Sequence, residues 1–251
     1  MKSISYKVKQ KLSEIFAPSS YRCLQCGCDL FGQTAFCDRC KRQVVFNNGK
    51  TCKRCGVGLD GAEDFCGNCA FDKIYFDRAY SAFSYEGAVK KAILDMKFHN
   101  LGCNAAVFAR YLVYLAQTHD LCYDVVTFVP MSPKSFKKRG YNQSELLAKG
   151  FCDILGAEQK FTEALTKTKE TVQQEKLGRK ERKENLVGCF AVTADVKGKS
   201  VLLLDDVKTT GSTINECAKV LKRKGATKVV ALTVASRKEN FDFEVDEEYI
   251  K

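Results

Sequence analysis

The distribution of apolar and polar positions divides the chain in two. Beyond about residue 77, short apolar runs alternate with longer stretches of helical spacing. Ala88 to Phe98 and Leu101 to Leu115 carry apolar residues three and four apart, which predicts two helices. Asp124 to Pro130 predicts a buried strand ended by a proline, Gln143 to Leu155 a helix, and Val201 to Leu204 a second buried strand. A helix over Thr213 to Lys224 and a strand over Val229 to Val234 complete the series. Strands alternating with helices predict an α/β domain with a mostly parallel sheet, covered on both faces. Ligands of such sheets bind beyond the carboxyl ends of the strands. The loops after Val129 and after Leu204 are therefore the places to look.

The first 77 residues follow neither period. Met1 to Ser20 mixes Lys7, Lys9 and Lys11 with Ile4, Val8, Leu12, Ile15 and Phe16, the pattern of a short amphipathic helix. It has no continuous apolar stretch of the kind a secretory signal needs, and no run in the chain approaches the roughly 18 apolar residues of a membrane helix. The cytoplasm is the expected compartment. Thiols there stay reduced, so the chain's 14 cysteines call for something other than disulfides.

Eight of those cysteines form Cys-x-x-Cys pairs: Cys23/Cys26, Cys37/Cys40, Cys52/Cys55 and Cys66/Cys69. The unit repeats with a shift of 29 residues, so that Gly27 matches Gly56, Leu30 matches Leu59 and Phe36 matches Phe65. Two thiolates separated by two residues grip one metal from a tight turn, and two such turns complete a closed, structural zinc site. The pattern predicts two four-cysteine zinc sites, and each unit is too short to build a sufficient core without its metal. Sequential pairing gives two zinc ribbons and interleaved pairing a cross-braced fold; the sequential version is preferred because each repeat holds a full ligand set. A single Cys-x-x-Cys also suits a redox dithiol, and the duplicated frame argues against that. Cys28 faces Val57 in the alignment of the repeats and reads as a spare thiol. Arg22, Arg39, Lys41, Arg42, Lys53 and Arg54 lie close enough in sequence to offset the negative thiolates. Cys103, Cys122, Cys152, Cys189 and Cys217 are scattered and read mostly as small buried residues, and His99 and His119 form no cluster. The net charge of +11 favours an anionic partner, either a phosphorylated small molecule or nucleic acid.

The loop after Leu204 is the most informative stretch. Asp205, Asp206, Val207, Lys208, Thr209, Thr210, Gly211, Ser212 and Thr213 lead straight from a buried strand into a helix. Small hydroxyl residues around a glycine let backbone N–H groups surround a phosphate, with the helix N-terminus aimed at it. The two acids at the strand tip suit hydrogen bonds from sugar hydroxyls. A plain strand, turn and N-cap is the competing reading, and it gives no reason for adjacent acids there. After the earlier strand, Pro130 and Met131 lead to Lys134, Lys137, Lys138 and Arg139, a basic stretch suited to pyrophosphate or to a solvated loop. Leu165 to Phe190, polar and basic, reads as a mobile lid or a surface excursion.

The acidic loop resembles the motif by which type I phosphoribosyltransferases bind phosphoribosyl pyrophosphate (PRPP). Together with the cysteine pairs, Lys97-Phe98, Val129-Pro130, Arg139 to Gln143, and the spacing of Thr171, Gln174, Arg182 and Asn185, it resembles the ComF family, over about Pro18 to Val234. The resemblance implies a double zinc ribbon over residues 1–77 and a phosphoribosyltransferase domain of Rossmann-like type over residues 78–251. It implies that Asp205 and Asp206 meet the ribose hydroxyls as the catalytic carboxylates, that Thr209 to Thr213 hold the 5′-phosphate, and that Mg²⁺ accompanies PRPP. Lys208 departs from the motif, where many relatives have an apolar or aromatic residue, and adds positive charge. Arg139 would neutralise pyrophosphate, while Lys97, Gln174 and Arg182 would serve the acceptor side or lid. It also implies a link to the uptake of transforming DNA and its machinery. A PRPP sensor without catalysis, and a single-stranded DNA-binding protein stacking bases on Tyr21, Phe36, Phe46 or Phe65, stand as alternatives, and the acceptor is not legible.

Overall fold

The computed structural model describes residues 22–30, 34–47, 49–59, 61–169 and 186–237. The amphipathic segment Met1–Ser20, Gln174 and Arg182 lie outside them.

Four parallel strands form the central sheet: β1 (Arg78–Ser84), β2 (Val125–Phe128), β5 (Ser200–Lys208) and β6 (Lys228–Ser236), in the order β1-β6-β5-β2. A second, antiparallel pair joins β3 (Leu165–Lys167) to β4 (Phe190–Val192). The helices are the short α1 (Asp38–Lys41) and α2 (Gly67–Phe71), then α3 (Gly87–Phe98), α4 (Asn104–Thr118), α5 (Pro133–Arg139), α6 (Gln143–Leu155) and α7 (Ser212–Arg223). The parallel sheet and the predicted helices are as the periodicity implied. Strand β1 is not marked in the sequence, because Arg78, Tyr80 and Ser81 interrupt its apolar run; its parallel pairing with β6, from Arg78 with Val230 to Ser84 with Ser236, makes it a strand nonetheless. Part of the basic stretch read as a loop is α5, started by Ser132 as N-cap and Pro133 in the first turn and ended by Gly140 at φ 83°. The ends of the lid segment are the strands β3 and β4.

Alternation along the strands gives the sheet two cores. Leu202, Leu204, Leu232 and Val234 pack on α3, α4 and α6 through Met96, Phe108 and Phe151. Val201, Leu203, Val229 and Ala231 face α7 and β4 through Ile214, Leu221 and Phe190. The cysteine-rich region divides between these cores: Cys23 and Cys40 join the first, and Cys52, Cys55, Cys66 and Cys69 the second.

The same region also covers the free edge of β1. The amide of Ala79 donates to Arg54 O (2.8 Å), the amide of Asn47 to Ala82 O (3.0 Å), and the amide of Ser84 to Val45 O (2.8 Å). An edge strand left bare would invite pairing with other chains; here the ribbons satisfy it. Contact is tight at Gly56, where φ is +65° and an added Cβ would lie 2.4 Å from Ala79 O. Gly27, its partner in the repeat, has φ +72° with nothing within 4 Å. Gly27→Ala should therefore cost only the left-handed strain, about 1–2 kcal/mol. Gly56→Ala should cost clearly more, because the ribbon must also leave the sheet edge. Urea denaturation of the two variants beside wild type checks the order.

Candidate functional site

Cys23, Cys26, Cys37 and Cys40 bring their sulfurs within 4.8 Å of one another, and Cys52, Cys55, Cys66 and Cys69 do the same. Ligand grouping is thus sequential within each repeat. A tetrahedral zinc–thiolate centre has sulfurs about 3.8 Å apart, and the donor sets fit it: Cys26 and Cys37 are 3.8 Å apart, Cys55 and Cys66 3.5 Å. Neither set leaves a ligand position open, so these centres are structural in type. Their surroundings differ. In the first, Cys26 is exposed and Cys37 half-buried, whereas all four cysteines of the second are buried.

Charge compensation follows the same division. At the first centre Arg39 stands against Cys26 and Cys40, which hold its guanidinium above the ordinary range. At the second, Lys53 pairs with Asp64 at 2.6 Å, and Arg54 lies over the Phe65 ring and donates to Cys69 O at 3.4 Å. The cation beside Cys55 is Lys208, whose Nζ is 3.8 Å from Sγ. Of the scattered cysteines, Cys152, Cys189 and Cys217 are buried, while Cys103 and Cys122 are exposed.

Strand β5 runs apolar through the sheet and ends in charge. Asp205, Asp206 and Lys208 are 8%, 3% and 3% exposed. Asp205 Oδ1 accepts from Ser144 Oγ and from the Asp206 amide, both at 2.9 Å. Asp206 Oδ1 pairs with Lys97 Nζ at 3.1 Å, while the buried Oδ2 has no partner among the described residues. Burial first, and the charge of Asp206 second, push the Asp205 carboxyl up to about 7 against the pull of Ser144 and Lys97. Burial presses the Lys97 ammonium down, and Asp206 and Asp205 outweigh it, so its pKa stands above the ordinary range.

Both acids line a cleft of about 380 Å³ at the carboxyl end of the sheet. Of the residues singled out in the sequence, Lys97, Pro130, Met131, Arg139, Lys208, Thr209, Gly211, Ser212 and Thr213 line it too. Thr210 faces a neighbouring cavity of about 420 Å³ behind the loop, and its Oγ1 is 2.8 Å from Ser212 Oγ. Gly211 takes φ 79° as the N-cap of α7 and has no side chain to cap it, while Thr210 Oγ1 accepts from the Ser212 amide at 3.3 Å. Of the four bases around α5, Lys134, Lys137 and Lys138 are exposed, and only Arg139 reaches the cleft, over the Phe98 ring and donating to Gln143 Oε1.

Several cleft residues went unassigned in the sequence. Asn142 caps α6 by accepting from the Ser144 amide, and its Nδ2 donates to Val129 O, which seats α6 against the end of β2. Ser144 then reaches Asp205. Arg237, directly after β6, also lines the cleft, and its amide donates to Lys208 O at 3.1 Å. The rule that ligands meet strand C-terminal ends points to Arg237 once β6 is included; nothing local in the sequence marks it.

The chain matches the family model of the phosphoribosyl transferase domain over residues 138–248 and that of the double zinc ribbon domain over residues 12–70. It is 32% identical over 157 residues to the DNA utilization protein YhgH of Salmonella typhimurium, covering 61% of this chain and 69% of that protein. The chain belongs to the ComF family. It joins a double zinc ribbon to a parallel-sheet, type I phosphoribosyltransferase fold. Other ComF relatives are YhgH of Escherichia coli, 39% identical over 42% of this chain and 46% of that protein, and competence protein ComFC of Streptococcus pneumoniae, 32% identical over 59% and 63%. The chain thus spans about half the length of the E. coli relative. Among solved structures it is similar to the allosteric regulatory enzyme of purine biosynthesis, with 23% identity, a TM-score of 0.36, and coverage of 51% of this chain and 25% of that one. No described helix is long and apolar enough to cross a membrane.

Two outcomes are expected. An exposed centre gives up its metal before a buried one, so a chelator should release zinc in two steps of one equivalent each, and Cys26→Ser should remove only the faster step; a chromogenic chelator reads both. An acid whose folded pKa is raised above its ordinary value of 3.8 costs stability as pH climbs from there through about 7. Asp205→Asn, which keeps an acceptor for Ser144, should therefore raise the thermal midpoint, and by more at pH 8 than at pH 5.

Proposed function

We propose that this ComF protein binds PRPP with Mg²⁺ in the cleft at the end of β5 and acts as a phosphoribosyltransferase-like factor in the handling of incoming DNA. The relatives' names, DNA utilization protein and competence protein, supply the biological half of that reading. The chemical half rests on one observation. A buried acid pair and a glycine turn opening a helix lie side by side in a single cleft, with a guanidinium on its rim.

Each part has a task suited to its chemistry. The N–H groups at the start of α7 and the hydroxyls of Thr209, Ser212 and Thr213 receive the 5′-phosphate, favoured by the positive helix end. Asp205 and Asp206 accept hydrogen bonds from the ribose hydroxyls and face the positive charge that develops on the ribose when pyrophosphate leaves. Ser144 and Lys97 hold the two carboxylates in place. Arg139, near Pro130 and Met131, offsets the pyrophosphate charge. The buried Asp206 Oδ2, without a partner among the described residues, suits a hydroxyl donor or a cation. Mg²⁺, when bound with PRPP, supplies charge neutralisation of the leaving pyrophosphate. Gln174 and Arg182, outside the described residues, remain assigned to the lid and acceptor side by resemblance alone.

A second reading is a PRPP sensor that does not turn the ligand over. It is favoured by Lys97, which already neutralises Asp206, and by the lack of any histidine among the described residues that line the cleft. For direct contact with single-stranded DNA, Phe36 is buried, Phe46 is exposed but packs at a tilt on Phe83, and Phe65 is exposed beneath Arg54.

Calorimetry with PRPP and Mg²⁺ on the zinc-loaded chain tests the shared core of these readings. Hydrogen bonds to charged groups contribute about 1.5–3 kcal/mol each. Asp205→Ala with Asp206→Ala should thus weaken binding roughly a hundredfold or more. Undiminished affinity in the double variant removes the assignment. Ribose recognition needs Asp205 ionised, so affinity should rise as pH passes upward through about 7 and then level off. In Asp205→Asn that step should vanish. Pyrophosphate release across a panel of acceptors separates an enzyme from a sensor.

A further inference from the structure

Lys208 ends β5 immediately before the phosphate loop, and it is one of the least exposed lysines that a surface site could have, at 3%. A buried ammonium needs a counter-charge. Its head group reaches the second ribbon, with Nζ 3.8 Å from Cys55 Sγ across 153 positions of sequence. Its stem passes beneath the turn: a Cβ at Gly211 would sit 3.9 Å from both Cγ and Cδ of Lys208. Its backbone is fixed as well, through its pairing with Ser236 and the amide of Arg237. The turn that opens α7 therefore lies beside a side chain whose far end is 3.8 Å from a sulfur of the second cysteine centre.

We propose that Lys208 is a positioning residue that ties the phosphate loop to the second four-cysteine centre, so that zinc at Cys52, Cys55, Cys66 and Cys69 sets the loop's affinity for a phosphate. The inference rests on the reading that this loop receives the 5′-phosphate. The donor set fits zinc, and the ion is what fixes four sulfurs at bonding distance from one point. Without it Cys55 loses its fixed place, Lys208 loses its anchor, and the stem no longer supports Gly211. The first centre has no such role, since its buried cysteines pack on the other core with Ala82 and Phe83. Two ribbons of one sequence pattern thus differ in what they hold.

The experiment uses the full chain with both centres loaded and ribose 5-phosphate as the probe, because it reports the loop without pyrophosphate. Lys208→Met, which keeps an unbranched apolar stem without the charge, should weaken ribose 5-phosphate about tenfold or more in calorimetry, and Lys208→Arg should recover most of that loss. Coupling is reciprocal. In wild type, saturating ribose 5-phosphate should therefore raise the chelator concentration that removes one of the two zinc ions by about tenfold at equilibrium. The other ion should be unmoved, and Lys208→Met should lose the protection. A Lys208→Met chain that binds the probe like wild type overturns the inference. So does a wild-type chain that binds the probe yet releases both ions at the same chelator concentration with and without it. That arm decides the matter even where the variant does not fold. A wild-type chain that binds no ribose 5-phosphate sinks the phosphate reading and this inference together.

Discussion

Three charged side chains within four residues at the buried end of one central strand set the terms for the rest of the molecule. Burying a charge without a partner costs several kcal/mol, so Asp205, Asp206 and Lys208 each require a group brought from elsewhere. The partners come from three different elements. Ser144 at the start of α6 serves Asp205, Lys97 at the end of α3 serves Asp206, and Cys55 in the second ribbon serves Lys208. Those elements pack on both faces and at one edge of the sheet. The site is therefore assembled by satisfying the charges of β5, and the helices around it are placed accordingly.

One oxygen escapes this accounting. Asp206 Oδ2 is buried with no partner among the described residues, in a molecule that otherwise provides for its buried charges. An unmet acceptor beside a raised carboxyl is costly to stability, and such costs gather where a ligand is received. Left-handed backbone also occurs elsewhere in the fold, at Asn100 and Asp120 and at glycines such as Gly56 against the sheet edge and Gly211 in the turn that opens α7.

Much of this was legible in the sequence, because apolar runs and cysteine spacing are local signals. The runs at Val125–Phe128 and Val201–Leu204 announced buried strands, and the duplicated pairs announced which four sulfurs would meet. The acidic loop stood out because adjacent carboxylates after an apolar strand have no local use. The failures share a cause. Strand β1 is mixed in polarity, and it is a strand because β6 pairs with it on one side and the ribbons on the other. Arg237 and Ser144 belong to the cleft through the meeting of chain segments far apart in sequence. At the second cysteine centre the cation beside the Cys55 sulfur comes from β5, while Arg54, a neighbour in the chain, reaches the Cys69 carbonyl. Distance along the chain is a poor guide to electrostatic partnership when both partners are buried.

The duplication sharpens that point. Two copies of one cysteine module began with the same knuckles, the same following glycine at positive φ and the same Phe before the second pair. One copy keeps an open glycine at Gly27, with Cys26 exposed and Cys37 half-buried. The other has its glycine, Gly56, pressed on the backbone of β1 and its cysteines buried in the core that also holds Leu203, Ile214 and Cys217. Identical ligand chemistry therefore does not imply identical use. The first centre joins the core of α3, α4 and α6 through Cys23 and Cys40, whereas the second joins, through all four cysteines, the core that holds α7, the helix that follows the acidic loop. The asymmetry in burial, more than the presence of cysteines, connects the N-terminal region to the chemistry of the cleft.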